Sequence, residues 1–140
     1  MFNAVVKYLR PLKHVPGLPL VFDALLKIET FVRNRKLLDY LDEIEIEVLS
    51  WHNTSMSIHK FGGVQFNCSH RELGHIHGNG LLDVSLSRAR KAALMERYPI
   101  KDHHVFKNSG WVSFLIQTEE DKQIAISLLR NAYECRTKIV

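Results

Sequence analysis

Apolar residues recur along this chain first at helical and then at alternating spacing. Over residues 20–41, Val21, Leu25, Ile28, Val32, Leu38 and Leu41 return at helical intervals, with Asp23, Lys27, Arg33 and Lys36 on other faces. That spacing predicts one core-packing helix. From Glu43 the period shortens: Ile44, Ile46 and Val48 alternate with Glu45, Glu47 and Leu49, the pattern of a half-buried strand. After a turn at residues 51–55, residues 56–61 and 64–68 read as two strands around Gly62-Gly63, with Val64, Phe66 and Cys68 on one face. Residues 72–77 and 81–87 flank Gly78-Asn79-Gly80, a second hairpin.

Ser87 suits the cap of a following helix that offers Ala89, Ala92, Ala93 and Met95 for packing and stops at Tyr98-Pro99. Strands are expected at residues 103–106 and 111–117, joined by a turn at 107–110. Thr118 opens a last helix with Asp121 in capping-box position, Glu119 and Glu120 in its first turn, and Ile124, Leu128 and Ala132 as its buried stripe. The order α-β-β-β-(β-β)-α-β-β-α predicts an α+β fold, a two-layer sandwich of an antiparallel sheet and helices. Residues 1–19 read as an amphipathic stretch (Val5, Val6 and Leu9 against Lys7 and Arg10, at residues 2–10) and a proline-rich linker. The single domain is expected over residues 20–140.

At 140 residues, with 46% hydrophobic and 24% charged residues, the chain can bury a core without disulfide or structural metal. Cys68 and Cys135 form no CxxC pair and read as reduced thiols. No apolar run is long enough to span a membrane, and Pro11, Pro16 and Pro19 break up any leader-like segment, so a cytoplasmic location is expected. A net charge of +4 permits anionic partners without demanding nucleic acid. Gly62-Gly63 opens no phosphate-binding helix, and Ser109 lacks a GxSxG context.

Six of the eight histidines lie between His59 and His104. His75 and His77 share a strand face. A two-residue turn at Asn79-Gly80 would put Asp83 on the core face opposite Ile76. A three-residue loop, Gly78-Asn79-Gly80, instead sets His75 opposite Asp83 and Ile76 opposite Leu82. Because a one-residue slip flips a whole strand and would bury a carboxylate among apolar groups, the three-residue loop is expected, with His75 and Asp83 on an outward polar patch.

The candidate ligand-binding residues are therefore His75, His77, Asp83, His103, His104 and Trp111. Within them His75, His77, Asp83 and His104 have the donor types of a zinc site, but without complete ligand spacing an ordinary ion pair on a solvent-facing hairpin, or a metal-free ligand pocket, explains them better. The leading expectation is a small ligand- or partner-binding module; a metal-assisted hydrolase or transferase is the enzymatic alternative.

The run Leu73-Gly-His-Ile-His-Gly-Asn-Gly-Leu-Leu-Asp83, then His103-His-Val, Ser109-Gly-Trp-Val, Glu120-Asp121 and Ser127-Leu-Leu-Arg-Asn-Ala-Tyr133, resembles the bacterial luciferase-domain family across residues 44–136. The resemblance implies the α+β fold, but neither a luciferin nor a flavin. A fainter similarity to the MmcQ/YjbR group rests on Arg97-Tyr98-Pro99, His104 and the Trp111 strand. It implies a nucleic-acid-binding surface, for which Arg88, Arg90, Lys91 and Lys107 are the candidates.

Overall fold

The computed structural model describes residues 15–137, so the amphipathic stretch at residues 2–10 lies outside the described residues. The elements are α1 (Leu18–Arg33), α2 (Arg35–Leu49), β1 (Thr54–Ile58), β2 (Val64–Cys68), β3 (Arg71–Ile76), β4 (Leu81–Ser85), α3 (Arg88–Met95), β5 (Lys101–Asp102), β6 (Trp111–Leu115) and α4 (Glu119–Thr137). The six strands form one antiparallel sheet in the order β1-β2-β3-β4-β6-β5. Helices α2 and α4 pack on each other and on this sheet, which makes the expected α+β fold.

Between helices and sheet lies the core. Leu37, Leu41, Ile44 and Val48 of α2 and Ala125, Leu128, Leu129 and Ala132 of α4 meet Phe66, Ile76, Leu82, Val84, Val112 and Phe114 of the strands. The capping box of α4 forms as expected: Thr118 Oγ1 accepts from the Asp121 N–H at 3.2 Å, and Asp121 Oδ2 accepts from the Thr118 N–H at 3.0 Å. The Ser87 hydroxyl accepts from the Arg90 N–H and caps α3.

Three expectations about elements are overturned. The single helix over residues 20–41 is two helices broken at Asn34, whose backbone is extended (φ −149°). The strand at residues 43–49 is instead the second half of α2. There the spacing 37, 41, 44, 48 outweighs the local alternation, burying Ile44 and Val48 while Ile46 is exposed. Residues 103–106 form no strand, because the backbone N–H groups of Val105 and Phe106 both donate to His103 Nδ1 instead of to a ladder (3.1 and 3.2 Å). In α3 the buried residues are Lys91 and Leu94, and Ala89, Ala92, Ala93 and Met95 face solvent.

Helix α1 corrects a further expectation. Its apolar residues do not pack the core: Val21, Leu25, Ile28 and Val32 are all exposed, and the buried residues are Asp23, Leu26 and Thr30. The reason is the hairpin tip. Asp23 Oδ1 accepts from the Gly78 N–H at 2.8 Å, and Thr30 Oγ1 donates to the Gly78 carbonyl at 2.9 Å, so both polar groups of one buried residue are satisfied by α1. A Cβ at residue 78 would strike Lys27 and the α1 backbone, so only glycine admits this approach. Helix α1 begins at Leu18, with Pro19 in its first turn, inside the expected linker.

Candidate functional site

The register expected for the second hairpin is the one observed: Ile76 pairs with Leu82 and His75 with Asp83. A polar row then crosses the sheet, with Ser57, Gln65, His75, Asp83, Ser113 and Lys101 in successive strand pairings. Alternation puts this row on the face away from Ile76 and Leu82. The patch is not solvent-facing, however: His75 is 6% and Asp83 1% exposed. Aromatic rings cover it. Trp111 lies tilted near both His75 (5.9 Å between centroids) and His103 (5.8 Å), and His59 stacks on His75 at 3.7 Å with an interplanar angle of 9°.

All six candidate residues converge here. His77 meets His75 edge to face at 5.3 Å, and His104, exposed, stacks on His103 at 4.4 Å. Three residues that pattern reading did not single out complete the cluster: His59, Glu72 and Ser113. In a regular strand Glu72 and His75 would face opposite ways. The irregularity between Phe66 and Asn67 of β2 pairs Asn67 with Glu72 and Phe66 with Gly74, leaving Leu73 as the extra residue. That bulge turns Glu72 onto the face of His75.

The protons can be placed from the partners. A carboxylate only accepts, so His75 Nδ1 carries the proton it donates to Glu72 Oε1 at 2.7 Å. His103 Nδ1 accepts two backbone N–H groups, so its proton is on Nε2, which points at Asp83 Oδ2 from 3.6 Å. His59 Nδ1 accepts from the Phe61 N–H at 3.4 Å, which leaves the His59 proton on Nε2, 4.0 Å from Glu72. Asp83 Oδ1 accepts from the Ser113 hydroxyl. Its other oxygen, Oδ2, is buried and has no hydrogen-bond partner, with His75 Nε2 at 3.4 Å.

Burial and neighbouring charge divide the imidazoles. Burial, reinforced by the adjacent His75, lowers the His59 pKa to about 4, and His77 is lowered by the same two causes. Burial also lowers His103, against the pull of Asp83. His75 moves the other way: burial disfavours its charged form, but Asp83 and Glu72 together outweigh burial and raise it. Asp83 is likewise disfavoured as an anion by burial, yet His75, Ser113 and His103 hold its pKa below the usual value.

The donor atoms of His75, His77 and Asp83 lie within 4.8 Å of one another, as do those of Asp83, His103 and His104, and of His59, Glu72 and His75. On the helix side of the sheet, a cavity of about 180 Å³ between α1, α2 and the end of β3 is lined by Leu38, Leu41, Val64 and Ile76 and shares only His77 with the cluster. A wider groove of about 440 Å³ between α2 and α4 holds none of the candidate residues.

Residues 70–132 match the family model of the Luciferase domain. The matched segment runs from β3 into α4 and carries every candidate residue of the cluster except His59, over a shorter span than residues 44–136. No curated protein and no solved structure matches the chain, which leaves the MmcQ/YjbR resemblance without support. The basic set assigned to nucleic acid is also broken up. Lys91 is buried, its Nζ donating to the carbonyls of Lys107, Ser109 and Trp111 at 3.0–3.2 Å and pairing with Asp102 at 2.6 Å. It locks the 107–111 turn onto α3 and presents no charge to a phosphate.

No helix among the described residues is long and apolar enough to cross a membrane.

Proposed function

We propose that the chain is a small ligand-binding module whose binding centre is a divalent metal ion of the zinc type, held by His75, His77 and Asp83. The observation that supports it most is Asp83 Oδ2, a buried carboxylate oxygen without a hydrogen bond, facing His75 Nε2 at 3.4 Å. With His75 neutral and its proton on Nδ1 toward Glu72, two lone pairs face each other, and a cation between them, a second proton as the raised His75 pKa favours or a metal ion, resolves the repulsion. The separation supports the metal ion. Charge-assisted N–H···O⁻ bonds close to about 2.7–2.9 Å, as Glu72 and His75 do, whereas two ligands of one tetrahedral zinc sit about 3.4 Å apart.

The chemistry of the donor set agrees. Glu72 holding His75 Nδ1–H is the carboxylate–histidine arrangement that orients a metal-binding imidazole. His77, with its depressed pKa, is available as a neutral ligand. His103 is not a ligand, since its Nδ1 is occupied by backbone donors and its Nε2 keeps the proton. Three protein ligands leave a fourth position, which His104 or an exogenous donor atom fills.

The test is metal content and affinity. After chelation and dialysis the protein should take up one equivalent of Zn²⁺, or of Co²⁺ with the intense visible bands of a four-coordinate ion. Asp83→Asn and His75→Gln should each weaken uptake by at least about a hundredfold, and His103→Gln by far less. A protein that takes up no stoichiometric Zn²⁺ or Co²⁺, or an Asp83→Asn variant that binds as the parent does, overturns the proposal.

A further inference from the structure

The outward face of α1 exposes a run of large apolar side chains, and its orientation is fixed. At 100° per residue, Leu20, Val21, Ala24, Leu25, Ile28, Phe31 and Val32 fall on one continuous arc, and every one of them is exposed, Val32 to 78% and Ile28 to 61%. Turning this arc inward would break both hydrogen bonds to Gly78. The helix is therefore held with its polar residues against the domain and its apolar residues away from it, the reverse of a core-packing helix.

Positive charge gathers around the arc. Lys27 lies at one border, the other border carries Glu29 ion-paired with Arg33 at 3.3 Å, and Arg35 and Lys36 follow at the start of α2. The Arg35 guanidinium lies over the exposed Phe31 ring at 5.3 Å. Asp23 accepts from the Gly78 N–H and lies 3.8 Å from Lys27, so over residues 18–36 four Lys and Arg stand against two acids. The sequence leading into α1 continues the bias, with Lys7, Arg10 and Lys13 and no Asp or Glu before Asp23. An anionic lipid surface meets both features, the apolar arc and the net positive charge around it, at once.

We propose that α1 docks the domain on an anionic membrane surface, lying in the interface plane with Val21, Leu25, Ile28 and Val32 toward the acyl chains and Lys27, Arg35 and Lys36 at the headgroup phosphates. The helix lies on the bilayer and does not cross it: its inward side is hydrogen-bonded to the hairpin that carries His75 and His77. The inference is independent of the metal centre.

Co-sedimentation of the full chain with lipid vesicles tests it. Vesicles containing about a third phosphatidylserine should retain the protein, and vesicles of phosphatidylcholine alone, or high salt, should reduce retention about tenfold. The double variant Ile28→Glu/Val32→Glu should abolish retention with an unchanged melting temperature, because both side chains stand in solvent. Arg35→Gln/Lys36→Gln should weaken retention while leaving the apolar arc intact. Failure to sediment with phosphatidylserine vesicles overturns the proposal, as does a double variant that binds like the parent. A concentration-dependent dimer in sedimentation velocity that the double variant disperses, without vesicle binding, assigns the face to a second copy instead.

Discussion

His59 should make the protein acid-labile well above the pH at which carboxylates titrate. Its ring is 5% exposed, stacked on His75, and its pKa is lowered to about 4 from the 6.5 of a free imidazole. On unfolding the ring regains its ordinary pKa, so between pH 6.5 and 4 the unfolded chain binds a proton that the folded chain refuses. Stability then falls as pH drops through this window and flattens below about 4. Two and a half pKa units at about 1.4 kcal/mol each amount to roughly 3 kcal/mol, on the order of 10 °C in melting temperature for a chain of this size.

His75 contributes with the opposite sign. Its folded pKa is raised, so its stabilisation is complete below 6.5 and is lost only as pH rises through the folded value. Asp83, whose folded pKa is lowered, stabilises above the unfolded carboxylate value and is lost only as pH falls through the depressed one. Neither masks His59 in the window. Urea unfolding of the chelated protein and of His59→Gln at pH 7, 5.5 and 4.5 reads the difference directly. The parent curve should drop more steeply, with the gap approaching 3 kcal/mol at the acid end. Parallel curves for parent and variant would refute the reasoning and show that solvent reaches the His59 ring.

Thr30→Val keeps the shape of the side chain but leaves the buried Gly78 carbonyl without its donor, which should cost about 1–3 kcal/mol and several degrees in a thermal melt. Lys91→Met strips the donor from three carbonyls and Asp102, and a loss of about 2–4 kcal/mol in urea unfolding is expected, where a solvated basic surface residue would change almost nothing. Asp83→Asn should lower the His75 pKa in the chelated protein, followed by NMR titration, since one of the two carboxylates that raise it is gone. An unchanged His75 titration would mean that Glu72 alone sets it.

Much of the hairpin was legible because its determinants are local. The period-2 alternation of residues 72–77, the glycines of the loop and the cost of burying Asp83 among apolar groups fix the His75–Asp83 pairing without knowledge of the rest of the fold. The α2 segment was misread because Ile44, Ile46 and Val48 satisfy both periods, and only the stripe begun by Leu37 and Leu41 decides between them. Helix α1 was misread for a deeper reason. Its apolar periodicity is genuine, but periodicity says that an apolar face exists and not which way it points; Asp23 and Thr30, 55 and 48 residues from their partner Gly78, decide that. Glu72 was hidden by the bulge, Ser113 by a strand pairing and His59 by its ring stack on His75, none of which a local window contains.

The buried centre of the polar row is costly to build. An antiparallel sheet with one face on the core needs nothing beyond solvated polar residues on the other. Here two carboxylates and several imidazoles are drawn together, and rings close over His75, Asp83 and His103 until they are nearly inaccessible. Each removal from water costs desolvation free energy that apolar side chains at the same positions would not incur, and a buried ion pair does not reliably return it. The bulge that brings in Glu72, the backbone that fixes the His103 tautomer and the Ser113 hydroxyl on Asp83 all orient this cluster, and each departs from the plainest way to build the strand or turn that holds it. Departures from local consistency that converge on one oxygen, Asp83 Oδ2, are where a chain gives up stability for chemistry.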